Sequence, residues 1–168
     1  MNRVDGFTII ELIIVIVIIG ILLTVGVVGP IGAVASSRDS ERADDAAAIA
    51  RLLELDYNSQ AVGSPSYPSS SVFMNDISTS SGTAAGADPA IFKAPGATSS
   101  SVVSTTATAA PNPTDSSAAA LNTYVYQPLT STNQPCSAGA QKCVSFRVYY
   151  RNEVTKPVIT VLTSLHQQ

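Results

Sequence analysis

Hydrophobic positions divide the chain into stretches of different physics. From Leu12 to Ser37 no charged residue occurs, a run of 26 positions, and 17 of the residues between Phe7 and Val28 are Ile, Leu, Val or Phe. Such a run is apolar on every side of a helix, and about 20 apolar residues cross a hydrocarbon core. The pattern then narrows to one stripe. Ala46, Ile49, Ala50, Leu53 and Tyr57 recur at three-and-four spacing, with Arg42, Asp45, Arg51 and Glu54 on the other faces. This predicts an amphipathic, soluble half over 36–60, continuous with a transmembrane half over 7–35. From Phe7 to Tyr57 the helix would run roughly 75 Å. Arg51 and Glu54 read as a solvated face with a weak pair.

Residues 61–122 lose this periodicity. Of these 62 residues 21 are Ser or Thr, and only Asp76, Asp88, Lys93 and Asp115 are charged. They read as a long Ser/Thr/Ala-rich surface connection with at most short local structure. The Ser/Thr richness with proline is compatible with O-glycosylation, but the composition alone describes an unmodified loop, and Asn112-Pro113-Thr114 is no N-glycosylation acceptor because of its proline. Strand patterns return over 123–168. Tyr124 to Gln127 is a short β run, and Val144 to Arg151 alternates Val144, Phe146, Val148 and Tyr150 against Ser145, Arg147, Tyr149 and Arg151. Val158 to Leu165 is β-branched and apolar, and a turn through Asn152 to Pro157 would pair the last two strands antiparallel. The expected fold is α+β: one long N-terminal helix packed on a small C-terminal antiparallel sheet, whose inner face covers the Ile49/Leu53/Tyr57 stripe.

Gly20, Gly26, Gly29, Pro30 and Gly32 fall within 13 residues of the helix. Glycine costs roughly 1 kcal/mol and proline about 3 in a helix interior, so these are the expected weak points. The alternative is a membrane helix tolerating small residues at a packing face. Glu11 is the other irregularity. The 17 strongly apolar residues favour insertion by roughly 5 to 10 kcal/mol in sum, and one central carboxylate costs roughly 2.5 to 3.5 kcal/mol. Insertion therefore tolerates Glu11 without explaining it.

At 168 residues the chain suits one modest domain plus an accessory segment, and its formal charge of −3 is mild. The nine Lys and Arg form no basic stripe, so nothing electrostatic points to nucleic acid. The two cysteines, Cys136 and Cys143, bracket SAGAQK, which in an exported protein reads as one local disulfide. Closing so small a loop stabilises by roughly 2 to 3 kcal/mol in the chain-entropy model. Ala33-Val34-Ala35 fits a secretory cleavage site, but the apolar region exceeds the usual h-region and Arg3 is offset by Asp5.

A short polar leader ending in Gly6, then Phe7, Thr8, a carboxylate at Glu11 and an unbroken Ile/Val/Leu helix resembles the N-terminal signature of type IV pilins and pseudopilins. The resemblance implies a leader over 1–6, cleaved between Gly6 and Phe7 by a prepilin peptidase that N-methylates the new Phe7 amine, leaving 162 residues. It also implies an assembly role for Phe7 and Glu11. The new amine is a cation four residues, about 6 Å, from the carboxylate, and between subunits the pair would fix register. Relatives usually place a Gly and a Pro eight residues apart where Gly20 and Pro30 stand ten apart. Tyr67-Pro68 resembles the Tyr-Pro at which many of them turn back toward the sheet.

What the resemblance implies for function is a structural subunit of a type IV pilus, supporting adhesion, twitching motility or DNA uptake. A pseudopilin or minor pilin of a type II secretion or competence machine is the alternative, and a non-polymerising, membrane-anchored exported binding protein is the reading from another class. The implied partners are itself in a helical homopolymer, other pilins, the prepilin peptidase, an assembly platform protein with its ATPase, and the membrane before assembly. The cytoplasmic membrane and then the cell surface are the implied locations. After Asp115 the only acidic residue is Glu153, too few for the C-terminal calcium site of a major type II pseudopilin. His166, the lone histidine, reads as a terminal polar residue. No phosphate-cradling loop, metal-ligand spacing or nucleophile elbow appears, so neither a cofactor nor enzymatic activity is expected.

Overall fold

The computed structural model describes residues 7–28, 30–59, 65–106, 121–137, 142–154 and 159–166, with backbone only at 25–28, 30 and 31. Gly6, Gly29, the interior of the Cys136–Cys143 loop and much of the Asn152–Pro157 turn lie outside these residues, as do the surroundings of Gly26 and Pro30.

The apolar run forms α1, Ile9–Val28, and the amphipathic half forms α2, Pro30–Ser59. Among the described residues no helix is long and apolar enough to cross a membrane, the described side chains of α1 ending at Thr24. The sequence-derived stripe is the part of α2 that is buried: Ala46, Ile49 and Leu53 are inaccessible, with Ala50 and Tyr57 partly covered.

The sheet has four strands in the order β1-β2-β3-β4: β1 Val102–Ser104, β2 Tyr124–Leu129, β3 Ser145–Arg151 and β4 Ile159–Thr163. β2, β3 and β4 run antiparallel as expected, with Tyr126 opposite Val148 and Tyr149 opposite Val161. β1 joins parallel to β2, Val102 opposite Tyr124, so the sheet is mixed rather than purely antiparallel. β2 also continues through Pro128, beyond the expected end at Gln127. Since β1 reaches only to Tyr126, the proline falls where that edge carries no ladder bond, and its carbonyl accepts from Cys136 N–H at 2.8 Å.

Residues 70–104 hold more than a surface connection. Helix α3, Ser70–Thr79, and two single-turn 3₁₀ segments, Gly82–Ala84 and Pro89–Phe92, place Phe73 and Phe92 in the same core as Tyr126, Phe146, Val148 and Tyr150. Phe73 lies 4.6 Å from the Tyr126 ring and meets Phe92 edge-on at 6.5 Å. The buried Asp76 carboxylate ties the end of α3 to the next turn by accepting Thr83 N–H at 3.1 Å. Gly82 is required there, because at its φ of +50° a Cβ would run into that carboxylate.

β3 departs from simple alternation. Phe146, Val148 and Tyr150 face the helix as the pattern predicts, but Tyr149 on the other face is 1% exposed. It packs with Val125 and Ile159, and its hydroxyl donates to Gln127 Oε1 at 2.6 Å. The expected polar outer face therefore carries a second, small apolar cluster.

If α3 belongs to the core, Phe73→Ala destabilises the folded head by about 3 to 5 kcal/mol, whereas Val72→Ala, at a half-exposed neighbour, stays within about 0.5 kcal/mol. Denaturant unfolding of the full chain in detergent, followed by tyrosine fluorescence, measures both; equal small effects would return α3 to the surface.

Candidate functional site

The N-terminal segment is built around one reciprocal hydrogen-bonded unit. Thr8 precedes the first helical residue and Glu11 lies three positions on. Glu11 Oε2 accepts from Thr8 N–H at 3.0 Å and from Thr8 Oγ1 at 2.8 Å, while Thr8 Oγ1 accepts from Glu11 N–H at 3.3 Å. This is the S/T-x-x-E capping arrangement, which satisfies helix N–H groups that have no partner within the helix. Thr8 is the residue that reading from composition overlooked, although the Thr-x-x-Glu spacing before an apolar run signals it. Both bonds fall on Oε2, and Oε1 has no hydrogen bond among the described residues. The carboxylate therefore keeps one oxygen for a further donor.

Phe7 is 86% exposed beside this cap. Along α1 no apolar side chain from Ile9 to Leu23 is buried, the least accessible still being half exposed. Gly20 and Gly32 open onto empty space, with nothing within 4 Å of a notional Cβ. A contiguous apolar surface of this length marks a face that lipid or protein covers.

Charged residues of α2 hold the head to this helix, and several expectations change here. Arg42, expected on a solvated face, is 2% exposed. Its Nε donates to the Leu121 carbonyl at 2.7 Å and its Nη1 to Asp39 at 2.8 Å. Asp39 also accepts the Glu153 and Val154 N–H groups at 2.7 and 2.9 Å, and Arg38 pairs with Glu153 at 2.6 Å. The segment after β3 is thus fastened to the start of the soluble helix. Burial pushes the Asp39 carboxyl up, but the Val154 and Glu153 N–H groups and Arg42 outweigh it and hold it below the ordinary range. The Arg38 guanidinium likewise holds Glu153 low. Asp45 moves the other way, raised by burial and by the nearby Glu41, Asp44 and Asp88 against the Tyr124 hydroxyl that donates to it at 2.8 Å.

Glu54 is likewise no solvated partner of Arg51. It accepts from the Tyr67 hydroxyl at 3.0 Å and from Leu165 N–H at 2.8 Å, and lies 2.9 Å from His166 Nδ1. Tyr57 stacks between Tyr67 and His166 at 4.6 and 4.5 Å, so His166 is a packed residue rather than a loose terminal one. Burial and the Glu54 carboxylate push the Tyr67 hydroxyl well above the usual phenol range.

Cys136 and Cys143 form the expected disulfide, with Cα atoms 5.7 Å apart. The bridge also organises its surroundings: the Cys143 carbonyl accepts Tyr67 N–H at 2.9 Å and the Cys136 carbonyl accepts Ser70 N–H at 3.3 Å. Tyr67-Pro68 thus docks the chain onto the sheet, and the Pro68 carbonyl accepts the buried Tyr126 hydroxyl at 2.7 Å. Among the described residues, no three His, Cys, Asp or Glu side chains gather closely enough to hold a metal ion.

Residues 1–27 match the family model described as the prokaryotic N-terminal methylation motif, which is the type IV prepilin-like signature. No curated protein and no solved structure matches the chain. The motif covers the segment in which Phe7, Thr8 and Glu11 come together, and it supports a pilin-like or pseudopilin-like protein of a structural rather than catalytic kind.

Asp39 and Glu153 carry depressed values in the folded head, so their stabilisation is present above the ordinary carboxylate range, near pH 4, and is lost as pH falls through the lowered values. The melting temperature of the full chain is expected to drop between pH 5 and pH 3. Asp39→Asn should melt lower at pH 7 and show a shallower acid limb; parallel curves would remove Asp39 from the linkage.

Proposed function

We propose that the chain is a structural subunit of a type IV pilus. In this reading a prepilin peptidase cuts between Gly6 and Phe7 and methylates the Phe7 amine. The apolar helix holds the subunit in the cytoplasmic membrane until an assembly platform and its ATPase draw it into a surface filament. The observation that carries the reading is the methylation motif at residues 1–27, placed on an apolar helix that none of the described residues covers. Adhesion, twitching motility or DNA uptake would be properties of the filament.

The Thr8–Glu11 cap gives Glu11 two tasks. Oε2 closes the start of the helix, and Oε1 is left for the cation created at Phe7 of a neighbouring subunit. In an apolar filament core a subunit displaced by one helical turn would leave both charges unpaired, so the contact selects one register. Gly20, Gly26, Gly29, Pro30 and Gly32 mark where the helix yields most readily as it leaves the membrane, because glycine and proline weaken a helix interior.

Mass spectrometry of sheared surface material should find a chain beginning at N-methylated Phe7; a chain retaining Met1, or one beginning at Ser36, would sink the proposal. Replacing Gly6 with a bulky residue should leave the precursor mass unchanged by the peptidase. Glu11→Ala should insert and be cut normally yet yield filaments reduced by about tenfold or more, the loss of a buried charge pair being strongly unfavourable; undiminished piliation would contradict the pairing role. Abundance in the purified filament separates the two pilin-like readings, since a substoichiometric chain would be a minor pilin or pseudopilin.

A further inference from the structure

Beside α2 lies an apolar groove of about 420 Å³ that none of the described residues fills. Ala47 and Ala50 form its helix side, and Leu162 and Leu165 its sheet side. Leu55 and Leu165 at its edges are 64% and 82% exposed. Of the two charged residues on its rim, Glu54 is spent on Tyr67, Leu165 and His166. Arg51 has no ion pair among the described residues, so its guanidinium is available at the edge of the apolar groove.

The other flank of α2 has the complementary character. Asp45 lies six residues before Arg51, which is about 120° around the helix and about 9 Å along it. Glu41, Asp44 and Asp88 add to burial in raising the Asp45 carboxyl, so negative charge is crowded there. Asp88 begins the turn Pro89–Phe92, where Pro89 and Ala90 are exposed and Ile91 is half-buried. That turn is therefore a small apolar knob with an acidic edge.

We propose that the groove between α2 and β4 receives the Asp88–Ile91 turn of a second copy of this chain, with Arg51 facing Asp88 and Glu41 of that copy. The inference rests on the filament reading and names the head-to-head contact within it. Groove and knob are different surfaces, so the contact is heterologous and propagates instead of closing into a dimer. Its displacement also fits the N-terminal pairing. Shifting one copy toward its C-terminus by about 9 Å brings its Asp45 level with the lower copy's Arg51, and by about 15 Å its Glu41, while a shift of the same sense by about 6 Å brings its Phe7 amine level with the lower copy's Glu11. The displacements agree in sense, and the one at Asp45, which Asp88 neighbours, differs by about 3 Å from that at the N-terminus.

Charge reversal in the full chain, expressed in piliated cells, tests the contact. Arg51→Glu should lower the yield of sheared filaments about tenfold or more, since like charges across an interface are strongly unfavourable. N-methylated Phe7 should remain at normal level in the membrane. Adding Asp88→Lys or Glu41→Lys to Arg51→Glu should restore the yield to within about threefold. Normal piliation by Arg51→Glu, or no recovery in either double variant, would overturn the contact; the latter outcome would mean that another protein occupies the groove. If cells with the unaltered chain carry no filament containing N-methylated Phe7, the filament reading itself fails, and this inference fails with it.

Discussion

A helix that is apolar on every side for its first 20 residues and apolar along one stripe thereafter must satisfy two environments along one axis. The rest of the structure follows from that demand. Ala46, Ile49 and Leu53 bury themselves only because a sheet presents Phe146, Val148 and Tyr150 to them, and because Tyr67, Phe73 and Phe92 close the remaining side. Each fully buried side chain of this class contributes on the order of 2 kcal/mol. Among the described residues nothing comparable covers α1, whose described side chains stay exposed in the single subunit. The chain is thus finished at the head and unfinished at the N-terminus, and polymer or membrane supplies what is missing under the proposed function.

Charge is placed where the two environments meet. Arg38, Asp39 and Arg42 stand just past the uncharged run, and they engage Glu153 and the backbone after β3 instead of water. Removing one member of such a buried set costs more than the set contributes, because the remaining charges keep their desolvation penalty. The arrangement therefore fixes where the sheet sits along the helix more than it adds to stability. At the other end of α2, Glu54 does the same for the C-terminal segment by holding Leu165 and His166. The head is pinned to one helix at two levels about 22 Å apart, the rise of 15 residues from Asp39 to Glu54.

Local signals were legible where one period or one short spacing decides the outcome. The stripe at 46–57, the alternation of Phe146, Val148 and Tyr150 and the Cys136–Cys143 pair could all be read directly, since each concerns residues close in sequence. The Thr8–Glu11 cap is equally local, since its Thr-x-x-Glu spacing stands within the N-terminal signature itself. Phe73 and Phe92 escaped because two aromatics in a Ser-rich stretch form no period, and their burial depends on a core around Tyr126, 53 and 34 residues later in the chain. Arg42 and Glu54 escaped for a related reason: their partners Leu121, Glu153, Leu165 and His166 are all distant in sequence, so neither residue looks different from a solvated charge.

By itself the sequence determined the α+β class, the long helix with its change from all-round to one-sided hydrophobicity, and the methylation signature that carries Phe7 and Glu11. These follow from short-range periodicity and from the cost of charge in an apolar run, which need no knowledge of the fold. Only the tertiary structure decided that β1 joins parallel to β2, that the Ser-rich segment supplies core aromatics, and that Arg51 rather than Arg42 is the unpaired cation of α2 among the described residues. Whether a charge is buried or free depends on what distant chain reaches it, and that is a property of packing rather than of pattern.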